Sequence, residues 1–333
     1  MDAATRAKYF PPKKPKSGSK KAKINKFRLT PIEVSYGKFK QNISFSQYAL
    51  HKQCPLAWYG KYGKRIKKQE VPSINLVFGT ALHTVLQEYL RISFDESGAK
   101  ADEIDFTSRF HAEFQSEIAK TFEKSGEFSS PEEMMDYFLD GVAILNQFRS
   151  KRRSFFNLKN MILVGIELPL HHKVSDAFDN IGFLGYIDIT FYDTVEDMFY
   201  IFDIKTSKRG WKYEKKDPGK INQVLLYKHY LSQQYDIDIN KIKTVFLIVK
   251  RKIIEDAPFP ISRIQWFEPA NSSRTVASAV KEFTSFIEQC YKSDGSVNDE
   301  RIYEARTGQN QLNCTFCPFK EDYTVCPLES RVT

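Results

Sequence analysis

Two short apolar runs on either side of a polar turn are the strongest constraint on how this chain folds. The runs are Gly185–Tyr192 and Met198–Lys205, and the turn between them is Asp193–Asp197. Apolar and polar side chains alternate along both runs, which is typical of a β-hairpin. The fold must therefore contain a sheet with at least one antiparallel strand pair.

Three ionisable side chains lie on this hairpin. Asp203 and Lys205 are two residues apart, so they point to the same face of one strand. Asp188 lies on the partner strand, close enough to join them in several registers. Two carboxylates bind a hard cation such as Mg²⁺, and a neighbouring lysine can orient or deprotonate a water. The group favours metal-dependent phosphodiester cleavage, and the alternative is a solvated strand edge with a surface ion pair.

Helical periodicity fills the first half of the chain, and strand periodicity begins near Met161. The predicted helices are Ile43–Tyr62, Ser73–Ile92, Ile104–Lys124, Pro131–Arg153, Pro218–Tyr235 and Asn271–Tyr291. The predicted strands are Met161–His172, Ile181–Asp193, Met198–Thr206 and Lys243–Lys252. Three consecutive strands, a helix and a further strand predict a mixed α/β core with helices packed on the sheet.

Local signals mark two of the helix boundaries. Ser44 or Ser46 can cap the first helix, and Pro55 is expected to kink or restart it. Ser130 and Pro131 form the usual pair of cap and first-turn residues. The pattern predicts one helix interrupted near Pro55 and another that begins at Pro131.

The positive charge is concentrated at the N-terminus. The net charge is +9, and residues 1–40 contain 12 Lys and Arg residues against only Asp2 and Glu33. This segment is rich in Pro, Ser and Lys, so we predict a disordered basic tail. It can contact a nucleic-acid backbone, act as a solubilising extension or carry a localisation signal, and these alternatives stay open.

A second basic segment, the loop Ser207–Lys220, contains Trp211 and Tyr213. Its composition suits backbone binding and base stacking, and a solvated loop with one anchoring aromatic residue is the alternative. The chain has no run of 18 apolar residues and no apolar signal region at its start. We therefore expect no membrane partner and an intracellular, cytoplasmic location, with nucleus or organelle left open.

Three of the five cysteines are closely spaced near the C-terminus. Cys314, Cys317 and Cys326 form the pattern C-x2-C-x8-C, which is typical of thiolate ligands to zinc or an iron–sulfur cluster. Cys54, also followed by proline, is the candidate fourth ligand. Cys290 falls within a predicted helix and is expected to be a small buried apolar residue. Disulfides are disfavoured, and free thiols are the alternative to a metal site.

The order of these motifs resembles that of the RecB-like nucleases of the PD-(D/E)XK superfamily, especially the iron–sulfur branch with AddB-type subunits and CRISPR-adaptation exonucleases. The resemblance extends from Ile43 to Pro327. SFSQYALHKQCPLAWYGKY resembles the opening motif that contains the first cluster cysteine, and FGTALH resembles the G-x-x-x-H helix. GYIDI, FDIKTSK and NQVLLY resemble the acidic, D-x-K and Q-x-x-x-Y motifs.

The resemblance implies a role for each residue at these motifs. His83, Asp188 and Asp203 would bind one or two Mg²⁺ or Mn²⁺ ions, with the Ile204 carbonyl as an additional ligand. Lys205 would hold or activate the attacking water and offset the charge of the transition state.

The remaining site residues surround this centre. Gln223 and Tyr227 share a helix face and would contact Lys205 or a substrate phosphate. Glu167, in the strand VGIELPL, corresponds more loosely to an acidic position before the hairpin. The resemblance also implies a structural [4Fe–4S] cluster, with zinc as the alternative. Its ligands would be Cys54, Cys314, Cys317 and Cys326.

The fold implied is a restriction-endonuclease-like mixed sheet flanked by helices, with a helical N-terminal half and a C-terminal cysteine cluster. The predicted divisions are a tail at 1–40 and one nuclease domain at 41–333, comprising a helical part (41–155), an α/β core (160–270) and a C-terminal part (271–333) that closes onto Cys54.

The function implied is a metal-dependent DNA nuclease, in particular an exonuclease on ends or single strands, that works in recombination, repair, replication or phage DNA processing. A non-cleaving nucleic-acid-binding subunit and a structure-specific endonuclease are the alternatives. No P-loop is present, so a helicase or recombinase would be a separate partner.

Overall fold

A computed structural model describes residues 29–68, 73–156, 159–211, 218–254, 259 and 261–332. Two sequence predictions lie wholly or partly outside the described residues. These are the basic tail over residues 1–28 and the basic loop over residues 212–217, which includes Tyr213.

The described helices account for most of the first half of the chain, as predicted. They are α1 (Phe45–Gln53), α2 (Pro55–Trp58), α3 (Ile74–Asp95), α4 (Gly98–Asp102), α5 (Phe106–Ser125), α6 (Pro131–Phe155), α7 (Pro218–Tyr235) and α8 (Ser273–Cys290). A π-helical turn, Tyr59–Gly63, follows α2 directly. Pro55 restarts the helix after Cys54 as predicted, and the Ser130 side chain accepts from the Glu133 N–H at the start of α6.

A six-stranded mixed sheet and a small two-stranded sheet make up the β-structure of the described residues. The strands are β1 (Gln41–Ile43), β2 (Met161–Ser175), β3 (Phe178–Asp193), β4 (Met198–Ser207), β5 (Ile242–Lys250), β6 (Ile264–Phe267), β7 (Ala305–Arg306) and β8 (Arg331–Val332). The larger sheet has the order β1-β3-β4-β5-β6, and β2 also pairs with β3. The predicted mixed α/β architecture with a central mixed sheet is confirmed.

The long strand β3 has a gap in its pairing that positions the site. β2 pairs with β3 along almost its whole length, so β1 and β4 must share the opposite edge. On that edge the pairing with β1 ends at Phe183, and the pairing with β4 begins at Ile189. Residues 184–188 are therefore left without a strand partner on one side, and Asp188 is the last of them.

Helices cover both faces of the sheet. On one face, α3, α5 and α6 pack against β3, β4 and β5 through residues that include Phe191, Phe202 and Leu247. On the other face, α1, α7 and α8 pack through residues that include Phe183 and Ile201. Because side chains alternate along β4, Asp203 lies on the same face as Ile201 and points toward α7.

Several short elements were not predicted from the sequence. Ile43 was predicted to begin the first helix, and residues 41–42 were assigned to the helical part without an element of their own, but all three form β1, and the first helix begins only at Phe45. The strand β6 and the five-residue helix α4 were missed. These elements are too short for periodicity to be visible, and the sheet that recruits β1 and β6 is formed by residues far away in the sequence.

The other boundaries differ from the predictions by a few residues. β2 and β3 are longer than predicted because they continue into a hairpin that joins Ser175 to Phe178. Cys290 is fully buried at the end of α8, as predicted for a small apolar residue. In the described part of the chain, no helix is both long enough and apolar enough to cross a membrane.

His51 makes the stability of this fold dependent on pH. Its ring is buried between Trp58 and Phe286, at centroid distances of 5.7 and 4.9 Å, and its Nε2 atom has no hydrogen-bond partner among the described residues. Burial, with a smaller contribution from Arg301 and Arg306, lowers the pKa of His51 to about 4. The folded state therefore rejects a proton that the unfolded histidine binds below about pH 6.5.

We expect the free energy of unfolding to be fully retained above about pH 6.5 and to fall by roughly 2 to 3 kcal/mol on account of His51 as the pH falls to about 4. Urea unfolding at several pH values measures this loss. His51→Phe should reduce the pH dependence, whereas substitution of the exposed His111 by Gln should leave it unchanged. Equal pH dependence in all three proteins would show that His51 is not responsible.

Candidate active site

A cavity of about 330 Å³ opens at the gap in the pairing of β3. The start of α1, the helices α3 and α7, and the strands β2 and β3 contribute its walls. Among the lining residues are five that the sequence singled out and one that it did not: His83, Glu167, Asp188, Gln223, Tyr227 and Gln87. Asp203 and Lys205 adjoin the cavity through the contacts described below.

The Asp188 side chain continues the hydrogen bonding between β3 and β4 beyond their last regular backbone pair. The last regular pair is Ile189 with Phe202, and one step further the Ile204 N–H donates to Asp188 Oδ2 at 2.7 Å. His83 Nδ1 on α3 lies 3.8 Å from the same carboxylate oxygen, and the His83 ring also contacts the Ile204 backbone. One carboxylate therefore links the end of the hairpin to the G-x-x-x-H helix.

Lys205 belongs to a chain of polar contacts that runs from β4 to α7. Its Nζ atom lies 2.8 Å from Asp203 Oδ2 and donates to Gln223 Oε1 at 2.9 Å. Gln223 Nε2 in turn donates to the Tyr227 hydroxyl at 3.0 Å. Gln223 and Tyr227 share one face of α7, as their spacing of four residues predicts. The lysine is therefore held from two sides.

Glu167 occupies an irregular position on β2. The flanking pairs, Ile166 with Ile189 and Leu168 with Ile187, place it opposite Asp188. Its φ angle is 51°, in the left-handed region that is unfavourable for residues other than glycine. Such strain persists only where the surroundings hold it, and it is common at functional sites.

Gln87 is the site residue that the sequence did not reveal. It is 2% exposed, and its Nε2 atom donates to Glu167 Oε1 at 3.0 Å and to the Asp188 carbonyl at 3.3 Å. The only signal in the sequence was its position one turn after His83 on the same helix. Gln87 therefore ties the strained residue on β2 to the carboxylate strand β3.

Gln87→Ala is expected to lower phosphodiester cleavage by roughly 10- to 100-fold, because the geometry of Glu167 and Asp188 loses its support. It should also cost about 1 to 3 kcal/mol of stability, since the Glu167 carboxylate loses a buried donor. Kinetics and urea unfolding measure the two effects. Ser93→Ala, which alters a buried residue of α3 that lies outside the cavity lining and bonds to the Tyr89 carbonyl of its own helix, is the matched control.

The carboxylates in the cavity outnumber the cations. Burial raises the pKa of Asp188 well above its usual range, and the Asp203 and Glu167 carboxylates add to this effect while Lys205 opposes it. Burial also raises the pKa of Asp203, against the effect of Lys205. Burial opposes the charge on Lys205, but Asp203 and Asp188 outweigh it and raise its pKa. A further cation would offset the excess negative charge of the carboxylates.

His83 has the protonation state that metal coordination needs. Burial, followed by the charge on Lys205, lowers the pKa of His83 to about 4. A neutral imidazole next to two carboxylates is a donor set that suits Mg²⁺ or Mn²⁺. In the described residues, no three His, Cys, Asp or Glu side chains are already gathered around a common point for an ion. The candidate ligands adjoin each other but are held by protein contacts.

The two ends of the described chain meet at the cysteines. Cys54 and Cys326 are buried in one cluster with Phe319, and Cys317 packs at its edge. Burial raises the pKa of Cys317, and the neighbouring Cys54, Cys314 and Cys326 raise it further. All five cysteines of the chain are free thiols. The structure thus places the four cysteines in one region, but among the described residues no three of them are gathered around a common point for a metal ion.

Backbone and side-chain contacts fix this junction. The Leu56 N–H donates to the Glu304 carbonyl at 3.0 Å. Gln53 and Asn313 exchange two hydrogen bonds, since each side-chain amide donates to the backbone carbonyl of the other residue, at 3.2 and 2.9 Å. The C-terminal part therefore closes onto the segment around Cys54.

Comparison with known proteins identifies the family. Residues 42–327 match the model of the PD-(D/E)XK nuclease superfamily. The chain belongs to this superfamily. The matched region contains the gap in β3, the Asp203–Lys205 pair and the four clustered cysteines.

Two further comparisons are less informative about this nuclease. The crystal structure of a "putative exonuclease" from Eubacterium rectale aligns with a TM-score of 0.45 and 13% sequence identity, covering 82% of this chain and 90% of that chain. A similarity at this level carries no argument about activity. No curated protein sequence matches the chain.

Proposed function

We propose that this PD-(D/E)XK protein is a metal-dependent DNA exonuclease that hydrolyses phosphodiester bonds at ends or in single strands. One observation carries the proposal: Lys205 and Asp203 lie in direct contact beside Asp188 and His83, at the only part of the described β3 edge that lacks a strand partner between β1 and β4. A cavity at that position gives a phosphodiester access to the group.

The donor set fits a hard divalent cation. His83, Asp188 and Asp203 would hold Mg²⁺ or Mn²⁺, with the Ile204 carbonyl as an additional oxygen ligand. The raised pKa values of both buried aspartates are the sign that positive charge is needed in the cavity. When bound, such an ion lowers the pKa of a water and stabilises charge that develops on the phosphate.

The protein side chains supply orientation. Lys205 keeps its proton because of the two aspartates, so it can hold a water through its ammonium group and offset charge on the phosphate. Gln223 holds Lys205 from the opposite side and is itself bonded to Tyr227. Burial raises the pKa of Tyr227, so its hydroxyl stays protonated and can donate to a phosphate oxygen.

Digestion of matched DNA substrates tests the proposal. With Mn²⁺ or Mg²⁺ present, linear single-stranded and duplex DNA should be degraded from an end, and closed circular DNA should be cut much more slowly. End labels on either strand terminus report polarity. Equal rates on circular and linear DNA would favour a structure-specific endonuclease, and no cleavage by the intact protein would favour a non-cleaving nucleic-acid-binding subunit.

We also propose that Cys54, Cys314, Cys317 and Cys326 hold a structural [4Fe–4S] cluster. The alternative is that the same four cysteines bind a zinc ion. Their location in one region supports this, as do the raised pKa values of Cys314 and Cys317, because neighbouring thiols can all be deprotonated only when a cation offsets their charge. The cysteine sulfur atoms that bind a [4Fe–4S] cluster lie further apart than those that bind a single metal ion. The assignment to the RecB-like, AddB-type branch rests on this cysteine set.

Cys314→Ser should remove the metal and lower the melting temperature, because ligation joins both ends of the fold. Iron, sulfide and zinc analysis of anaerobically purified protein measures the first effect, and thermal unfolding measures the second. Cys290→Ala is the matched control: it empties space in the core between α8 and the sheet but should leave the metal content unchanged. A Cys314→Ser protein with full metal content and unchanged stability would refute the proposal.

A DNA-degrading activity of this kind would act in recombination, repair, replication or phage DNA processing within the cell. A helicase or recombinase that exposes ends or single strands is the partner we propose. Co-purification with such a partner tests this association. Removal of the N-terminal basic segment tests whether that segment contributes to it.

A further inference from the structure

A second basic surface lies outside the catalytic cavity, on the segment that follows α2. Residues 54–68 contain five basic residues and no acidic residue. The basic residues are Lys61, Lys64, Arg65, Lys67 and Lys68. All of them except Lys61 are exposed, and Lys61 is half-buried. We call residues 61–68 the basic segment.

The basic segment forms one side of an open groove of about 490 Å³. The other side is the C-terminal cysteine segment, residues 309–332, which contributes Pro318 and Phe319. Four of the lining residues are cations, and the apolar ones on the near side include Tyr62 and Ile66. The groove therefore combines positive charge with apolar and aromatic surface.

The basic segment is fixed in place on the cysteine segment. Lys68 Nζ lies 2.7 Å from Asp322 Oδ2, and the Ile66 N–H donates to the Gly60 carbonyl at 2.9 Å. A Cβ atom at Gly60 would lie only 3.1 Å from the Phe319 ring, so the two segments are in close contact. Cations held in this way lose less conformational entropy on binding an anion than cations on a free loop.

Part of the positive charge at the groove has no acidic partner among the described residues. Lys68 is paired with Asp322, but the lining residues Arg65 and Lys67 and the adjacent Lys64 make no ion pair with a described acidic side chain. Phe316, on the adjoining turn of the cysteine segment, is 87% exposed. It lines a second cavity that shares Lys61 with the groove, so an exposed aromatic ring stands next to the cations.

We propose that this groove binds the phosphate backbone of single-stranded DNA outside the catalytic cavity, with Phe316 stacking on a base. Three cations that have no acidic partner in the described part of the chain match the charge of a phosphodiester backbone, and an exposed aromatic ring can stack on an unpaired base. The substrate assignment rests on the proposed nuclease function.

The chain itself connects the groove to the catalytic cavity. Ser44 and Ser46 line the cavity at the start of α1, and the basic segment follows α2 at the other end. The nine residues of α1 span roughly 14 Å at 1.5 Å per residue. The cavity and the groove therefore lie at opposite ends of the segment that runs from α1 to the π-helical turn.

The test is the Lys64→Gln, Arg65→Gln, Lys67→Gln triple variant. We measure binding of a fluorescent oligothymidylate of about 20 nucleotides in EDTA, which prevents metal-dependent cleavage. The triple variant should bind about tenfold more weakly at moderate salt, and the slope of log affinity against log salt should fall in magnitude by about 2. Phe316→Ala should weaken binding about tenfold with no change in the slope.

A control triple variant, Lys124→Gln, Arg274→Gln, Lys281→Gln, removes the same charge from exposed positions on α5 and α8. It should bind the oligonucleotide like the wild type, and thermal unfolding should show both triple variants folded. Unchanged affinity and slope in the groove variant, or an equal loss in the control, would overturn the proposal. An equal loss of duplex binding in the groove variant would overturn the single-strand assignment.

Turnover of a small phosphodiester, bis(p-nitrophenyl) phosphate, in Mn²⁺ separates the two proposals. The groove variant should retain the wild-type rate, because this substrate is too small to reach the groove. Loss of that rate would contradict the groove proposal by placing these cations in the catalytic centre. An inactive wild-type protein that still shows the groove-dependent binding would contradict the nuclease proposal alone.

Discussion

Lys205→Met should lower kcat for DNA cleavage by about 10³-fold or more, while DNA binding changes little. Its ammonium group lies between Asp203 and Gln223, where it can hold a water and offset charge that develops on the phosphate. Methionine keeps most of the apolar stem, so packing against the sheet is retained. Single-turnover cleavage measures the chemical step, and oligonucleotide binding in EDTA measures affinity.

Two further variants decide how this result is interpreted. Lys205→Arg keeps the positive charge but not the position of the donor, so it should remain severely impaired. Lys243→Ala removes another strand lysine that is paired with a carboxylate, Glu196, and should cleave at the wild-type rate. If Lys205→Met cleaves as fast as Lys243→Ala, Lys205 has no part in the chemistry.

Asp188→Asn should lower cleavage by about 10³-fold and at the same time stabilise the metal-free protein by about 1 kcal/mol. The Asn side-chain oxygen can still accept from the Ile204 N–H. The substitution removes a buried carboxylate whose pKa is raised by burial and by repulsion from Asp203 and Glu167. In the wild type, Mn²⁺ should raise the melting temperature, and in the variant it should not.

Thermal unfolding with EDTA or Mn²⁺, together with cleavage assays, measures both effects. Asp179→Asn, an exposed position on the same strand β3, removes the same charge and should change neither property. A variant that loses activity but also loses stability in EDTA would indicate that Asp188 serves the fold rather than a metal ion.

Much of the site was predictable because its residues lie in regular elements. Alternation placed Asp203 and Lys205 on one face of β4, and helical spacing placed Gln223 and Tyr227 on one face of α7. In the structure the first pair is in direct contact, and Gln223 reaches Lys205. Their chemical roles stay predictions until the variants are measured.

What could not be predicted depends on contacts between distant parts of the chain. The gap in β3 exists because a three-residue strand, Gln41–Ile43, takes one part of its edge and β4 takes another. The left-handed conformation of Glu167 and the contacts of Gln87 follow from the packing of α3 on β2 and β3. No local pattern in the sequence encodes such packing.

The cysteine segment and the groove beside it were likewise predictable only in part. The spacing of Cys314, Cys317 and Cys326 was visible in the sequence, and Cys54 was assigned to the same set through proline context. The basic residues at 61–68 had no predicted role, because their significance appears only when Phe319 packs under Gly60 and a groove forms.

The most direct test of the catalytic centre is the rate of release of labelled nucleotides from end-labelled single-stranded DNA as Mn²⁺ is titrated. We predict no release in EDTA, saturable release in Mn²⁺ for the wild type, and a loss of about 10³-fold in Asp188→Asn at every metal concentration. Release that persists in EDTA, or that is undiminished in Asp188→Asn, would contradict a metal-dependent nuclease centre at this cavity.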